Sequence, residues 1–437
     1  MTDRSAERAR IVELDKHRVW HPYTAMDLYR ATVDPIVAVR ATGSRIEDAD
    51  GSSYVDANAS WWVAALGHDH PRLVAALKRQ ADELCHVPLA GITHSGAAEL
   101  GEALCRSAPT GLDHVFYSDD GSTAVEVALK LSLQYWAQNG RPGRATFVAL
   151  EGGFHGETLG VTALGGVEAF RRPFARALPS CLHVPSPADG LEAAVAALRT
   201  LLARRADEIA ALVVEPMVQG AAGMRIYEAE YLRAVRELCD AYDVFLVCDE
   251  VFTGYGRTGP MWACEHAGIA PDLLCSAKGL TGGMLPMGAT LANDRLFDGF
   301  LEDSDRAFLY GHSYCGNPLG TAVAVEVLRV FEEEKVLEGV RRRARRIAAA
   351  FEAMAELAAV SATRSLGMIG ALDLAGDEGY LAYTGWAVYE EARKRGVYLR
   401  PLGNVVYVTP PLTIPDEDLD LLLDVVHESV EAATRSR

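Results

Sequence analysis

From residue 115 to about 295, apolar runs of four to seven residues alternate with segments of helical period. No other feature of the chain constrains its fold as strongly. Short apolar runs bounded by turn residues read as strands buried on both faces. Strands separated by helical segments belong to an α/β chain whose mostly parallel sheet is covered by helices. The best-marked pair lies in 244–283. Val244–Cys248 ends at Asp249, and a second run around Leu273–Leu274 leads to Lys278, 29 residues beyond Asp249. That spacing accommodates a turn, a short helix and a second strand. Open sheets of this kind bind ligands off the carboxyl ends of their strands, so an acid and an amine are predicted at one rim. A buried carboxylate and a lysine followed by Gly279, Gly282 and Gly283 suit pyridoxal phosphate. The lysine forms the Schiff base and the carboxylate keeps the pyridine nitrogen protonated.

Other stretches add to that rim. VFYSDDGSTAVEVALKLSLQYWA (115–137) predicts strand, turn and helix, the helix opening on Gly121, Ser122 and Thr123. Free amides at a helix start form an anion site, although Ser and Thr also favour a plain N-cap. Glu126, Lys130 and Gln134 recur every four residues and predict a narrow solvent stripe with a favourable Glu126–Lys130 pair. A strand at 146–150 leads into a glycine-rich loop carrying Phe154, His155 and Glu157, and Phe154 either stacks on a flat ring or packs into the core. A strand near 209–214 ends at Glu215-Pro216.

Residues 1–60 read as a lead-in of a short helix and hairpin-like stretches turned at Asp50-Gly51, packing with a smaller C-terminal unit. Residues 61–330 form the large domain and 331–437 the small α+β domain. Trp61 and Trp62 are core residues or pocket walls. His68 and His70 lack a third ligand type at a familiar spacing, so no metal is expected. The Arg-rich helix 340–357 predicts a solvated face. In VYLRPLGNVVYVTPPL, Arg400 closes one strand and Tyr407 lies on the next. An arginine so placed is commonly a surface residue, and it is also what a carboxylate-bearing substrate requires.

Several classes are disfavoured. A net charge of −18 opposes binding to nucleic acid or an anionic membrane. No apolar run reaches the ~18–20 residues of a membrane span, and the charged start MTDRSAERAR has no signal core, so a cytoplasmic protein is expected. None of the eight cysteines forms a C-x-x-C pair, which argues against zinc ribbons and thioredoxin chemistry, and the thiols are read as structural. GYGRTG (254–259) matches a dinucleotide fingerprint, but Asp249–Thr253 separates it from its strand and no ribose-binding acid follows. VFLVCDE resembles a Walker B strand without any Walker A. A non-catalytic interaction protein has no need of this acid, amine and helix-start arrangement.

DEVFTGYGRTG, PDLL with AKGLTGG, EP with VQGAAG, and GHSYCGNP, in that order, resemble the class III (ω-amino acid) aminotransferases, which are fold-type I pyridoxal-phosphate enzymes. The resemblance runs nearly end to end. WHPYTAM, ASWW, LGHDHP, GITH and LRPLGNVVYVTPPL are similar to the branch that converts 8-amino-7-oxononanoate to 7,8-diaminononanoate in biotin synthesis with S-adenosylmethionine as donor. The resemblance implies Lys278 as the Schiff-base lysine and Asp249 as the pyridinium partner. Gly121 and Ser122 bind the phosphate, and Ser313 with His312 reaches it from a partner subunit, so a homodimer is implied. Phe154, His155, Glu215 and Val251 complete the expected cofactor contacts. Tyr23, Trp61, Trp62, Phe154, Gly311, Arg400 and Tyr407 are the implied substrate residues. The chain departs from the family where Phe154 replaces a tyrosine and Glu157 an aspartate. YGHSY and LPMG look more like a lysine-using branch, and a broad amine transaminase is the alternative reading.

Overall fold

The computed structural model describes residues 2–376 and 382–434. The lead-in forms the antiparallel strands β1 (Ala38–Thr42), β2 (Arg45–Asp48) and β3 (Ser53–Asp56). The predicted alternation then appears as β4 (His114–Ser118), β5 (Thr146–Leu150), β6 (Cys181–Val184), β7 (Ile209–Val214), β10 (Phe245–Asp249), β11 (Leu273–Ser276) and β12 (Gly288–Ala292), with a two-stranded ribbon, β8 (Val218–Gln219) and β9 (Arg225–Ile226), inserted after β7. The C-terminal part contributes β13 (Val360–Leu366), β14 (Ile369–Leu374), β15 (Val397–Tyr398) and β16 (Val405–Val408).

The main sheet has seven strands in the order β4-β12-β11-β10-β7-β5-β6, and β12 alone runs antiparallel to both neighbours. Every residue of β5, β7, β10 and β11 is buried, as their unbroken apolar runs require of strands covered on both faces. β13-β14-β16 form a separate antiparallel sheet. β15 pairs in parallel with β3, so the lead-in sheet is closed by a strand from nearly 350 residues later. Among the described residues no helix is long and apolar enough to cross a membrane.

Two readings need refinement. The stripe on the helix Gly121–Gln138 is solvated at Lys130 but half-buried at Glu126 and Gln134, and the expected Glu126–Lys130 pair does not form. Glu126 accepts the Thr158 hydroxyl at 2.5 Å and the Val161 amide at 3.3 Å rather than pairing with Lys130. Lys130 instead places its amine 4.2 Å from the Tyr310 ring centroid, and Gln134 donates to the Ala307 carbonyl at 2.9 Å. Polar residues at helical spacing were therefore used to tie down two crossing loops. The Arg-rich helix, Val336–Met354, exposes Arg341, Arg342 and Arg345 as expected, while Arg343 donates to the Ile414 carbonyl at 2.7 Å, and Arg346 pairs with Asp416 and Asp420 on the closing helix Asp416–Thr434.

One turn is strained. Ala59, Ser60, Trp61 and Trp62 have φ of 45°, 45°, 66° and 74°, a left-handed turn without a glycine. Such residues cost about 1–2 kcal/mol each. Fully buried Asp56 offsets this: one carboxylate oxygen accepts the Ser60 amide at 2.7 Å and its hydroxyl at 3.0 Å and faces His68 Nε2 at 3.0 Å. The other accepts the Asn58 amide at 3.1 Å. Hydrogen bonds to a charged group contribute about 1.5–3 kcal/mol each, enough to hold the turn.

Candidate active site

The carboxyl ends of the parallel strands open onto a cavity of about 500 Å³. β10 delivers Asp249, and Asp249 lies level with Cys275 of β11, three residues before Lys278. Glu215 follows β7, and the loop after β5 brings in Phe154 and His155. Lys278 opens a 3-10 turn with φ of 46° and reaches the cavity wall, its amine 4.5 Å from the Trp62 ring centroid and 5.8 Å from that of Phe252. Removal of water lowers its pKa to about 8, with Asp249 and Glu215 opposing the shift. An amine so tuned is about one-tenth unprotonated at pH 7, against under a thousandth for an ordinary lysine with a pKa of about 10.4, and so is far better placed to act as a base.

Asp249 is buried, accepts the Val251 amide at 3.1 Å and pairs with His155 Nδ1 at 2.8 Å. Burial opposes a charge on His155, but the hydrogen bond to Asp249, with the field of Asp249 and Glu215, wins and raises its pKa. Glu215 accepts the amides of Phe154 and Gly220, each at 2.9 Å. Burial pushes Glu215 up to about 7 against the pull of His155. The floor is thus a set of two acids and two bases with water largely excluded.

At one side the helix Gly121–Gln138 points its start into the cavity. Asp120 caps it through the Thr123 amide at 2.8 Å, and the first amides, at Gly121 and Ser122, have no partner within the helix. Two glycines keep this end open. A Cβ on Gly121 would lie 2.7 Å from Val251, and one on Gly156 would lie 2.3 Å from the Ser122 hydroxyl. These donors fit a planar phosphorylated pyridine aldehyde: an amine for its carbonyl, a carboxylate for its ring nitrogen, a helix start for its phosphate.

Above this floor stands a wall assembled from distant segments. The Tyr23 hydroxyl donates to Glu157 at 2.6 Å, and its ring meets Trp61 edge-on with centroids 5.7 Å apart. Trp62 Nε1 donates to the Tyr407 hydroxyl at 3.2 Å. The Arg400 guanidinium sits 4.7 Å from the Trp61 ring centroid, and its backbone amide is fixed by Asn58 at 2.6 Å. Among the described residues no carboxylate is paired with the Arg400 side chain. Trp61, Arg400 and Tyr407 line a second cavity of about 330 Å³ with Tyr54 and Tyr398. The left-handed turn lets adjacent tryptophans serve different cavities.

The main cavity therefore gathers Tyr23, Trp62, Gly121, Ser122, Phe154, His155, Glu215, Asp249, Val251 and Lys278. Gly311, His312 and Ser313 line neither cavity within one chain. His312 is held by its own chain, with Nε2 2.9 Å from the Tyr310 hydroxyl. Sequence reasoning missed Phe252, Thr281 and Met287 in the main cavity and Asn58 in the second. Phe252 and Thr281 each lie within three residues of Asp249 or Lys278, which is the only signal that marks them.

The family model described as aminotransferase class-III matches residues 28–430. The chain is 38% identical to the adenosylmethionine-8-amino-7-oxononanoate aminotransferase of Geobacter sulfurreducens, over 96% of this chain and 97% of that protein. It is 40% identical to the protein of the same name from Nitratidesulfovibrio vulgaris, over 98% of this chain and 83% of that one. Among solved structures it is similar to the adenosylmethionine-8-amino-7-oxononanoate aminotransferase of Methanocaldococcus jannaschii, with a TM-score of 0.94 and 33% identity over 98% of this chain and 100% of that chain. It is also similar to a transaminase from the marine bacterium Virgibacillus, with a TM-score of 0.93 and 28% identity over 98% of this chain and 99% of that chain.

Proposed function

The chain belongs to the class-III aminotransferases, and from that premise we propose that it transfers an amino group from S-adenosylmethionine to 8-amino-7-oxononanoate, forming 7,8-diaminononanoate in biotin synthesis. The observation that carries the reading is the delivery of Asp249 and Lys278 by neighbouring parallel strands to one cavity. The names of the relatives support the substrates, and the carboxylate-free Arg400 beside an apolar aromatic wall supports an acceptor with a terminal carboxylate.

Pyridoxal phosphate, when bound, supplies the electron sink that lets a proton leave the carbon bearing the amine. Lys278 would hold it and then take and return that proton at the substrate carbon, a role suited to an amine with a pKa near 8. Asp249, oriented by His155, would hold the proton on the pyridine nitrogen. Gly121 and Ser122 would hold the phosphate, and Phe154 and Val251 would flank the ring. Glu215 fixes the Phe154 amide and so the loop that carries Phe154 and His155. Tyr23, Trp61, Trp62 and Tyr407 would enclose the acceptor chain, with Arg400 on its carboxylate.

The same reading includes a homodimer in which Gly311 and Ser313 complete the partner's site. The largely exposed Leu309 and Tyr314 on that loop support such an interface. It also includes the division at residues 60 and 330 and a cytoplasmic location, supported by eight free cysteines. The test is the visible spectrum of the purified protein. A yellow band lost on adding S-adenosylmethionine and regained with 8-amino-7-oxononanoate supports the assignment. Loss with lysine instead overturns the donor, and a protein that never takes up pyridoxal phosphate overturns the whole. The likeness to an amine transaminase from an uncultivated Pseudomonas species favours a second reading, an amine transaminase, which a simple amine in the same experiment would reveal.

A further inference from the structure

Three potential metal ligands converge outside the main cavity. Asp119 follows β4, and His312 and Cys315 lie on one turn of the 310–317 loop. One ligand atom from each falls within 4.8 Å of the others. The arrangement is more than proximity. His312 Nδ1 pairs with Asp119 Oδ2 at 3.0 Å, while the other carboxylate oxygen, Asp119 Oδ1, is buried and makes no hydrogen bond. Buried polar atoms without partners are uncommon and call for an explanation.

The surroundings resemble those of a ligating histidine and thiolate. A ligating histidine uses one ring nitrogen while the other is fixed by a hydrogen-bonding neighbour. Here the Tyr310 hydroxyl sits 2.9 Å from Nε2, which turns Nδ1 toward Asp119 and Cys315. The His312 backbone amide donates to Cys315 Sγ at 3.1 Å, a bond that stabilises negative charge on sulfur. Burial raises the Cys315 thiol, and the same amide works against that rise. Asp119, Asp120 and Glu126 put a negative field on Tyr310 at the edge of the pocket, and the Lys130 amine lies 4.2 Å from the Tyr310 ring centroid.

We propose that Asp119, His312 and Cys315 form a binding site for a thiophilic divalent cation of the zinc type, with water in the fourth position. Nitrogen, sulfur and carboxylate oxygen together suit Zn²⁺, whose bonds to such ligands are about 2.0–2.3 Å. The three atoms close by about 1 Å to meet it. On binding, the Cys315 S–H bond breaks, the sulfur–metal bond forms and the proton leaves to solvent. No electron is transferred.

The experiment is zinc binding to the holoenzyme, counted by atomic absorption after gel filtration, with Co²⁺ as a spectroscopic probe. One zinc per chain and a sulfur-to-cobalt charge-transfer band are expected. Cys315→Ser should abolish that band, Asp119→Asn should weaken zinc binding, and Tyr310→Phe should weaken it about 10–100-fold. Absence of retained zinc in the wild-type protein overturns the proposal. So does zinc retention unchanged in both Cys315→Ser and Asp119→Asn. The cobalt spectrum of the wild-type protein decides the point even where a variant does not fold: with no sulfur band, Cys315 is not a ligand.

Discussion

The floor of the main cavity and the wall above it are built on different principles. Asp249, His155 and Glu215 are 4–5% exposed; Asp249 ends one buried strand, Glu215 directly follows another, and His155 lies on the loop after a third. Tyr23 and Trp61 are 41% and 38% exposed and come from the lead-in and the turn just after it, while Arg400 and Tyr407 come from the C-terminal part. The floor is rigid because sheet registry places it, and its chemistry depends on excluded water. The wall is held by side-chain contacts across hundreds of residues and by one strained turn. On the proposed function, the chemistry common to a family rests on the sheet, and what distinguishes one substrate from another rests on parts that can be exchanged without disturbing it.

Replacement of Lys278 by Ala strikes the floor where the contrast is greatest. Loss of a positioned base costs about 10²–10⁴-fold, and turnover measured with either donor should fall by at least that factor while the thermal midpoint changes little. Asp56→Ala strikes the support of the wall. Removing a buried charged partner costs about 3–5 kcal/mol, which urea unfolding should register as a lower midpoint. If stability holds and only acceptor KM changes, the turn is not strained as described. Arg400→Ala should raise the KM of a carboxylate acceptor by about 10–100-fold, from the ~1.5–3 kcal/mol of a charge-assisted bond. The donor half-reaction should be unaffected, and an equal loss in both halves would erase the distinction between floor and wall. The mildest test removes nothing. In cofactor-free protein an amine-selective reagent should label Lys278 with a midpoint near pH 8, deprotonated above it, whereas exposed lysines titrate near about 10.4.

Much of the floor was legible because strand periodicity and strand-end rules act locally. Asp249 and Lys278 follow from two apolar runs and a glycine-rich turn. Asp249 and Glu250 show the limit of that logic. They are adjacent, yet Asp249 faces the cavity while Glu250 turns away, accepting the Ala263 and Cys264 amides at 3.0 and 2.8 Å. Strand alternation says that neighbours face opposite ways, but not which one faces the ligand. Lys130 is exposed as the stripe predicts, but Glu126 and Gln134 bond to loops, because a polar helical stripe looks the same whether water or another loop receives it.

The sequence by itself determined the order of strands and helices, the acid and amine at their ends, and the family. Those are consequences of short-range periodicity and of long motifs in fixed order. Only the tertiary structure decided that Trp61 and Trp62 open onto separate cavities, that β15 closes the lead-in sheet beside β3, and that His312 and Cys315 meet Asp119. Each joins segments distant along the chain or depends on backbone angles that residue identity does not favour. Contacts of that kind are stabilised by the packing of the whole molecule, and no local pattern encodes them.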